Sequence, residues 1–189
     1  MAKVYEFLAD GFEEIEALAP VDVLRRGGIE ALTVSIMGRR EVRSAHGVTV
    51  LADLLMEDAG DFADADMLLL PGGMPGSTNL RDHRGVIAAL QRQNKAGKRI
   101  GAICAAPLVL AHAGLLHGRH ATIYPGMDAH LGDAHYEERL IVEDGNITTA
   151  EGPAAALPYS YRLLSYFRDE ATARSIAQGM IYDRLMREG

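Results

Sequence analysis

The sequence predicts a single α/β domain over residues 1–189, built on a mostly parallel sheet with helices on both faces. Three observations carry that expectation. Short, nearly continuous apolar runs, such as residues 4–9 and 66–70, read as strands buried on both sides. Helix-like stretches alternate with them, which is the pattern of βα units. No internal repeat, linker or low-complexity tract interrupts the chain, and its length suits one substantial core.

The elements follow in order. After the strand at 4–9 come the loop Asp10-Gly11-Phe12 and a helix running to about Arg26, which Gly27-Gly28 stops. Residues 31–37 form the next strand. Residues 41–44 and 48–52 flank His46-Gly47 as a hairpin side-branch. The strand at 66–70 breaks at Pro71-Gly72-Gly73, and residues 84–94 read as a helix with Gly97 as its terminator. A short apolar strand then leads through Cys104 into a helix expected over residues 105–116. A strand is expected at 121–123, and residues 140–143 and 147–149 enclose the hairpin turn Asp144-Gly145-Asn146. Two helices, 154–167 and 170–187, finish the chain.

Composition narrows the function classes. Apolar residues make up 48% and charged residues 24%, ordinary for a soluble globular protein. A net charge of −7 argues against a nucleic-acid partner, whose binding domains are usually basic. The single cysteine excludes an internal disulfide framework and suits a reducing compartment. The N-terminus has no secretory pattern, and no apolar run approaches the ~18 residues of a membrane span. A cytoplasmic protein without membrane or nucleic-acid partners is therefore expected. Seven histidines invite a metal reading, but there is no HExxH pattern and no thiolate cluster, so no metal is expected.

Cys104 is the first candidate for chemistry. A strand-to-helix turn with Pro107 in the first helical turn reads as a nucleophile elbow, with sulfur in place of a serine hydroxyl. Such a turn is expected to expose the sulfur, and the helix dipole to lower its pKa. Ligands of parallel sheets bind beyond the C-terminal strand ends, a rule that gathers residues 10–16, residues 71–76 and Cys104. Glu16, flanked by Ile15, Ala17, Leu18 and Ala19, is expected to be partly buried and so protonated near neutrality. A protonated carboxyl can donate a hydrogen bond to a thiolate and carry a proton. Glu13 and Glu14 read as simple helix capping. The N–H groups of Gly72 and Gly73, with that of Ala105, are candidates for an oxyanion hole.

Five motifs occur in one order: Phe12-Glu-Glu-Ile-Glu16, Pro20-Val-Asp22-Val, Leu70-Pro-Gly-Gly73, Ala102-Ile-Cys104-Ala-Ala-Pro107 and Glu151-Gly-Pro153. Together they resemble the ThiJ/PfpI superfamily, in its DJ-one branch with bacterial relatives, across nearly the whole chain. The resemblance implies a flavodoxin-like sandwich and a homodimer. It makes Cys104 the reactive cysteine, Glu16 its partner carboxyl, and Gly73 and Ala105 donors of backbone N–H groups. Tyr124 and Gly72 are candidates for lining the substrate pocket. It also implies cofactor-independent glyoxalase action on small dicarbonyls or deglycase action on early glycation adducts. Redox sensing or chaperone action through the same cysteine is the alternative. Many members carry a histidine where Tyr124 stands, so no imidazole is available there. Ala105 follows the cysteine where the protease branch has histidine, which rejects a protease reading.

Overall fold

The computed structural model describes residues 1–188 and bears out the α/β expectation. In chain order the elements are β1 (Lys3–Leu8), α1 (Glu14–Arg26), β2 (Glu30–Ser35), β3 (Glu41–Arg43), β4 (Thr49–Leu51), β5 (Leu54–Leu55) and β6 (Met67–Leu70). There follow α2 (Gly76–Asp82), α3 (Arg84–Lys95), β7 (Arg99–Ile103), α4 (Pro107–His112), β8 (His120–Ala121) and β9 (His135–Tyr136). The chain continues with β10 (Ile141–Asp144), β11 (Ile147–Ala150), α5 (Ala156–Ser165), α6 (Glu170–Gly179) and α7 (Tyr182–Glu188).

Seven strands form the central sheet in the order β10-β11-β7-β6-β1-β2-β5, all pairs parallel except β10 with β11. Helices α1 and α5 pack together on one side, and α2 packs with α3 and α4 on the other. Burial of Phe7, Met67, Leu68, Leu69, Leu70 and Ile100 explains why these strands lack apolar–polar alternation: both faces are covered. From β1 the chain steps to β2 on one side, then returns to β6 on the other. The loops after β1 and β6 therefore face each other at a topological switch point, the ordinary ligand position of such sheets. Among the described residues no helix is long and apolar enough to cross a membrane.

Several elements differ from expectation. The helix expected over 105–116 spans only Pro107–His112, because Ala113 caps it and the chain turns at Gly114. The strand expected at 121–123 is the two-residue β8, paired with β9 outside the main sheet. The last helix breaks into α6 and α7 at Met180-Ile181, where Ile181 takes φ +64°. Helix α2 and strand β5 carry no sequence signal. α2 is short and carries Gly, Ser, Thr and Asn, a composition that reads locally as loop.

One ionisable side chain sits where none is expected. Glu6, on β1, is 2% exposed; its Oε2 and the hydroxyl of buried Tyr159 both lack hydrogen-bond partners. Burial, with the Glu16 charge added, holds the Glu6 carboxyl well above the usual range, so it is a neutral acid in the core.

Candidate active site

Cys104 directly follows β7 and takes φ +62°, a left-handed conformation that strains any side chain with a Cβ. Two backbone bonds over-determine that geometry. Its N–H donates to Ala150 O at the end of β11 (2.8 Å), and its carbonyl accepts from Tyr124 N–H (2.9 Å). The elbow reading therefore holds, but the expected exposure does not: the residue is 8% exposed. The side chain is packed against Gly72 in the loop after β6.

Glu16 comes from the first turn of α1. That turn is fixed by Glu13, whose Oε2 accepts from Glu16 N–H at 2.8 Å, so the capping reading of Glu13 is correct. The Glu16 side chain is fully buried. Its Oε2 accepts from Gly72 N–H at 2.9 Å. Its Oε1 has no hydrogen-bond partner, and the Cys104 thiol is the titratable neighbour whose ionisation is coupled to that of the carboxyl. Burial pushes the carboxyl up to about 7, against the opposing pull of Cys104 and Gly72 N–H and with added push from Glu13.

The thiol moves upward too, opposite to the dipole expectation. Burial is the main cause, and the charge of Glu16 adds to it, while the N–H groups of Gly73 and Ala105 oppose it. The physical reason is that α4 is only six residues long, so its dipole is weak against desolvation. Thiol and carboxyl cannot both ionise. The pair carries one negative charge above about 7, and one proton remains to be shared between sulfur and oxygen.

Gly72 is the hinge of this packing. A Cβ there would lie 2.5 Å from Glu16 Oε2, 2.6 Å from Cys104 Cβ and 2.9 Å from Ala105 N. Because its N–H is committed to Glu16, Gly72 is not an oxyanion donor; Gly73 and Ala105 are the two N–H groups that face the sulfur. Gly72→Ala is expected to cost about 1–3 kcal/mol in urea unfolding and to slow alkylation of Cys104 by iodoacetamide. An Ala variant with wild-type stability and thiol reactivity would contradict this packing.

Tyr124 stands at the rim, 47% exposed, with its ring against Gly152. The anchoring of Cys104 by Ala150 and Tyr124 had no local signal, since both bonds join residues far apart in sequence. Among the described residues, the one group of possible metal-ligand side chains with donor atoms within 4.8 Å of one another is Glu13, Glu14 and His46. Glu13 already caps α1, and Glu14 accepts a 3.0 Å bond from His46 Nδ1.

This arrangement can be compared with known proteins. The DJ-1/PfpI family matches residues 2–165. The chain belongs to that family. Within the DJ-1/PfpI family it is 33% identical to protein dj-1beta of Drosophila melanogaster over 177 residues, 92% of this chain and 94% of the fly protein. It is 34% identical to protein DJ-1 homolog B of Arabidopsis thaliana over 161 residues, but these cover 85% of this chain and only 36% of that longer protein. A deglycase of Pyrococcus abyssi is 32% identical over 147 residues, 77% of this chain and 87% of the archaeal one. Among solved structures, oxidized DJ-1 of Toxoplasma gondii superposes with a TM-score of 0.91 at 34% identity, covering 96% of this chain and 98% of that one. These DJ-1 neighbours share the flavodoxin-like sandwich.

Proposed function

We propose that this chain is a cofactor-independent enzyme acting on small dicarbonyls, such as methylglyoxal and glyoxal, or on their early adducts. The observation that carries the reading is the buried Glu16–Cys104 pair, which holds one mobile proton near neutral pH at a strained elbow. The family relationship to a deglycase supports the same chemistry.

In the proposed reaction the Cys104 proton passes to the Glu16 carboxylate, leaving a thiolate faced by Gly73 and Ala105 N–H. The sulfur adds to the aldehyde carbon, and the carbonyl π pair moves to oxygen, which takes the Glu16 proton. Glu16, now a carboxylate, removes the proton from the former aldehyde carbon to give an enediolate, whose hydroxyl proton shifts to the neighbouring oxygen. Glu16 then returns the carbon-derived proton to the neighbouring carbon, and the electron pair re-forms a carbonyl on the sulfur-bearing carbon, giving a thioester of the 2-hydroxy acid. Water cleaves the thioester, releasing the acid and restoring the thiol. Atoms balance as dicarbonyl plus water to 2-hydroxy acid. Release of the parent amine from an aminocarbinol uses the same groups. The test is D-lactate formation from methylglyoxal without glutathione, by wild type and Cys104→Ser side by side.

A second reading is redox sensing, favoured by the oxidized state of the Toxoplasma relative. Here a peroxide takes the thiolate to sulfenate and then sulfinate, losing one water per step. Protonated Glu16 would hydrogen-bond to the oxidised sulfur, and the lone cysteine leaves no resolving thiol in the chain. Mass spectrometry after mild peroxide is expected to find two added oxygens confined to Cys104. Oxidation spread over the methionines with Cys104 spared would remove this reading.

A further inference from the structure

Beside the cysteine lies a groove of about 170 Å³, and its only charged lining residue is Glu151. The groove is tied to the nucleophile on both sides. Tyr124, which forms one wall, donates its N–H to Cys104 O, and Ala150, which accepts from Cys104 N–H, immediately precedes Glu151. The Tyr124 ring lies along Gly152, where a Cβ would sit 3.4 Å from Cδ2, so one edge is packed while the residue as a whole is exposed. Leu140 and Pro153 complete an apolar floor.

Among the described residues, no cation is paired with Glu151; nearby Arg139 bonds to Glu137 instead. Asp128 and Glu138 add to the same negative surroundings, since both act with Glu151 on Tyr136. A partly buried carboxylate next to an aromatic face is the usual receptor for an organic cation. The volume admits one guanidinium or ammonium group with a short stem.

We propose that this groove is a cation subsite, with Glu151 as the residue that sets substrate charge. Resting on the thiolate chemistry proposed above, it directs the site toward carbonyl adducts bearing a guanidinium or ammonium group and away from anionic carbonyl compounds. Tyr124 supplies the aromatic wall rather than the imidazole found there in many relatives.

The test uses the full chain and thiol-specific reagents, so it does not require turnover. In each case the thiolate attacks the sulfenyl sulfur of a methanethiosulfonate, forms a disulfide and expels methanesulfinate. The readout is the modification rate of Cys104 by the aminoethyl cation divided by that by the sulfonatoethyl anion, at low salt. Glu151→Gln is expected to lower this ratio about tenfold, and added salt to shrink it in the wild type. Glu151→Lys is expected to carry the ratio below that of a free thiol, which simple unfolding cannot do. Agmatine is expected to protect Cys104 in the wild type, and less so in Tyr124→Leu and Glu151→Gln. Ratios within twofold of wild type in both Glu151 variants would overturn the subsite. A wild type without methylglyoxal turnover but with a Glu151-dependent ratio would overturn the catalytic reading and keep the subsite.

Discussion

Cys104→Ser is expected to lower D-lactate formation from methylglyoxal by about a thousandfold or more, while far-UV circular dichroism stays that of the wild type. The magnitude follows from the acidity of the nucleophile. A serine hydroxyl in the same buried cradle has no accessible anion, and the Glu16 carboxylate, with a pKa of about 7, is too weak a base to generate one. The backbone cannot compensate, because Gly73 and Ala105 N–H groups stabilise a charge that the oxygen does not develop in the ground state. Fold is preserved because the elbow is held by main-chain bonds to Ala150 and Tyr124, which serine retains. The strain at φ +62° persists in Ser and is relieved only in Gly. Cys104→Gly is thus expected to recover about 1 kcal/mol of stability relative to Cys104→Ala without recovering activity. A Ser variant with more than a tenth of wild-type turnover would remove the cysteine from the mechanism.

How much of this was legible in the sequence depends on the range of the interactions. The strands and the helices α1 and α3 announce themselves through continuous apolar runs and glycine stops at Gly27-Gly28 and Gly97, signals confined to a few neighbours. The topology rule then brought residues 10–16, 71–76 and Cys104 together, and the Gly72–Glu16 bond sits at that meeting point. What escaped was set by tertiary packing. The sign of the Cys104 shift depends on how deeply tertiary packing buries it, and no local pattern reports that depth. The neutral Glu6 escaped for the same reason, because its protonation follows from the depth of its burial beside Glu16. Gly72 reads from the sequence as an oxyanion donor and pocket residue, and the commitment of its N–H to Glu16 is visible only in three dimensions.

Glu16→Gln is expected to raise stability and depress activity together, with both effects set by pH. The carboxyl titrates at about 7 in the folded protein against an ordinary value of 4.5. The native state therefore holds a proton that the unfolded chain releases between those values, so this residue costs nothing below about pH 4.5 and progressively more up to about 7. Above that the full cost is about 3 kcal/mol. Glutamine keeps an oxygen for Gly72 N–H but has no charge to bury. Urea unfolding is accordingly expected to find the Gln variant more stable by about 2–3 kcal/mol at pH 8 and equal to wild type at pH 4. Reactivity moves the other way. In the wild type the first negative charge forms on a shared pair, so its apparent pKa lies at or below that of either member alone. Without the carboxyl, the thiol must ionise unaided in a buried site, and the inflection in iodoacetamide alkylation of Cys104 is expected to rise from about 7 to a higher pH. Methylglyoxal turnover at pH 7 should fall by about 10²–10⁴-fold, the usual worth of a positioned acid–base group. An inflection that stayed near 7 in the Gln variant would mean that Glu16 does not share the proton. A gain in stability independent of pH would mean that its carboxyl is not the buried charge.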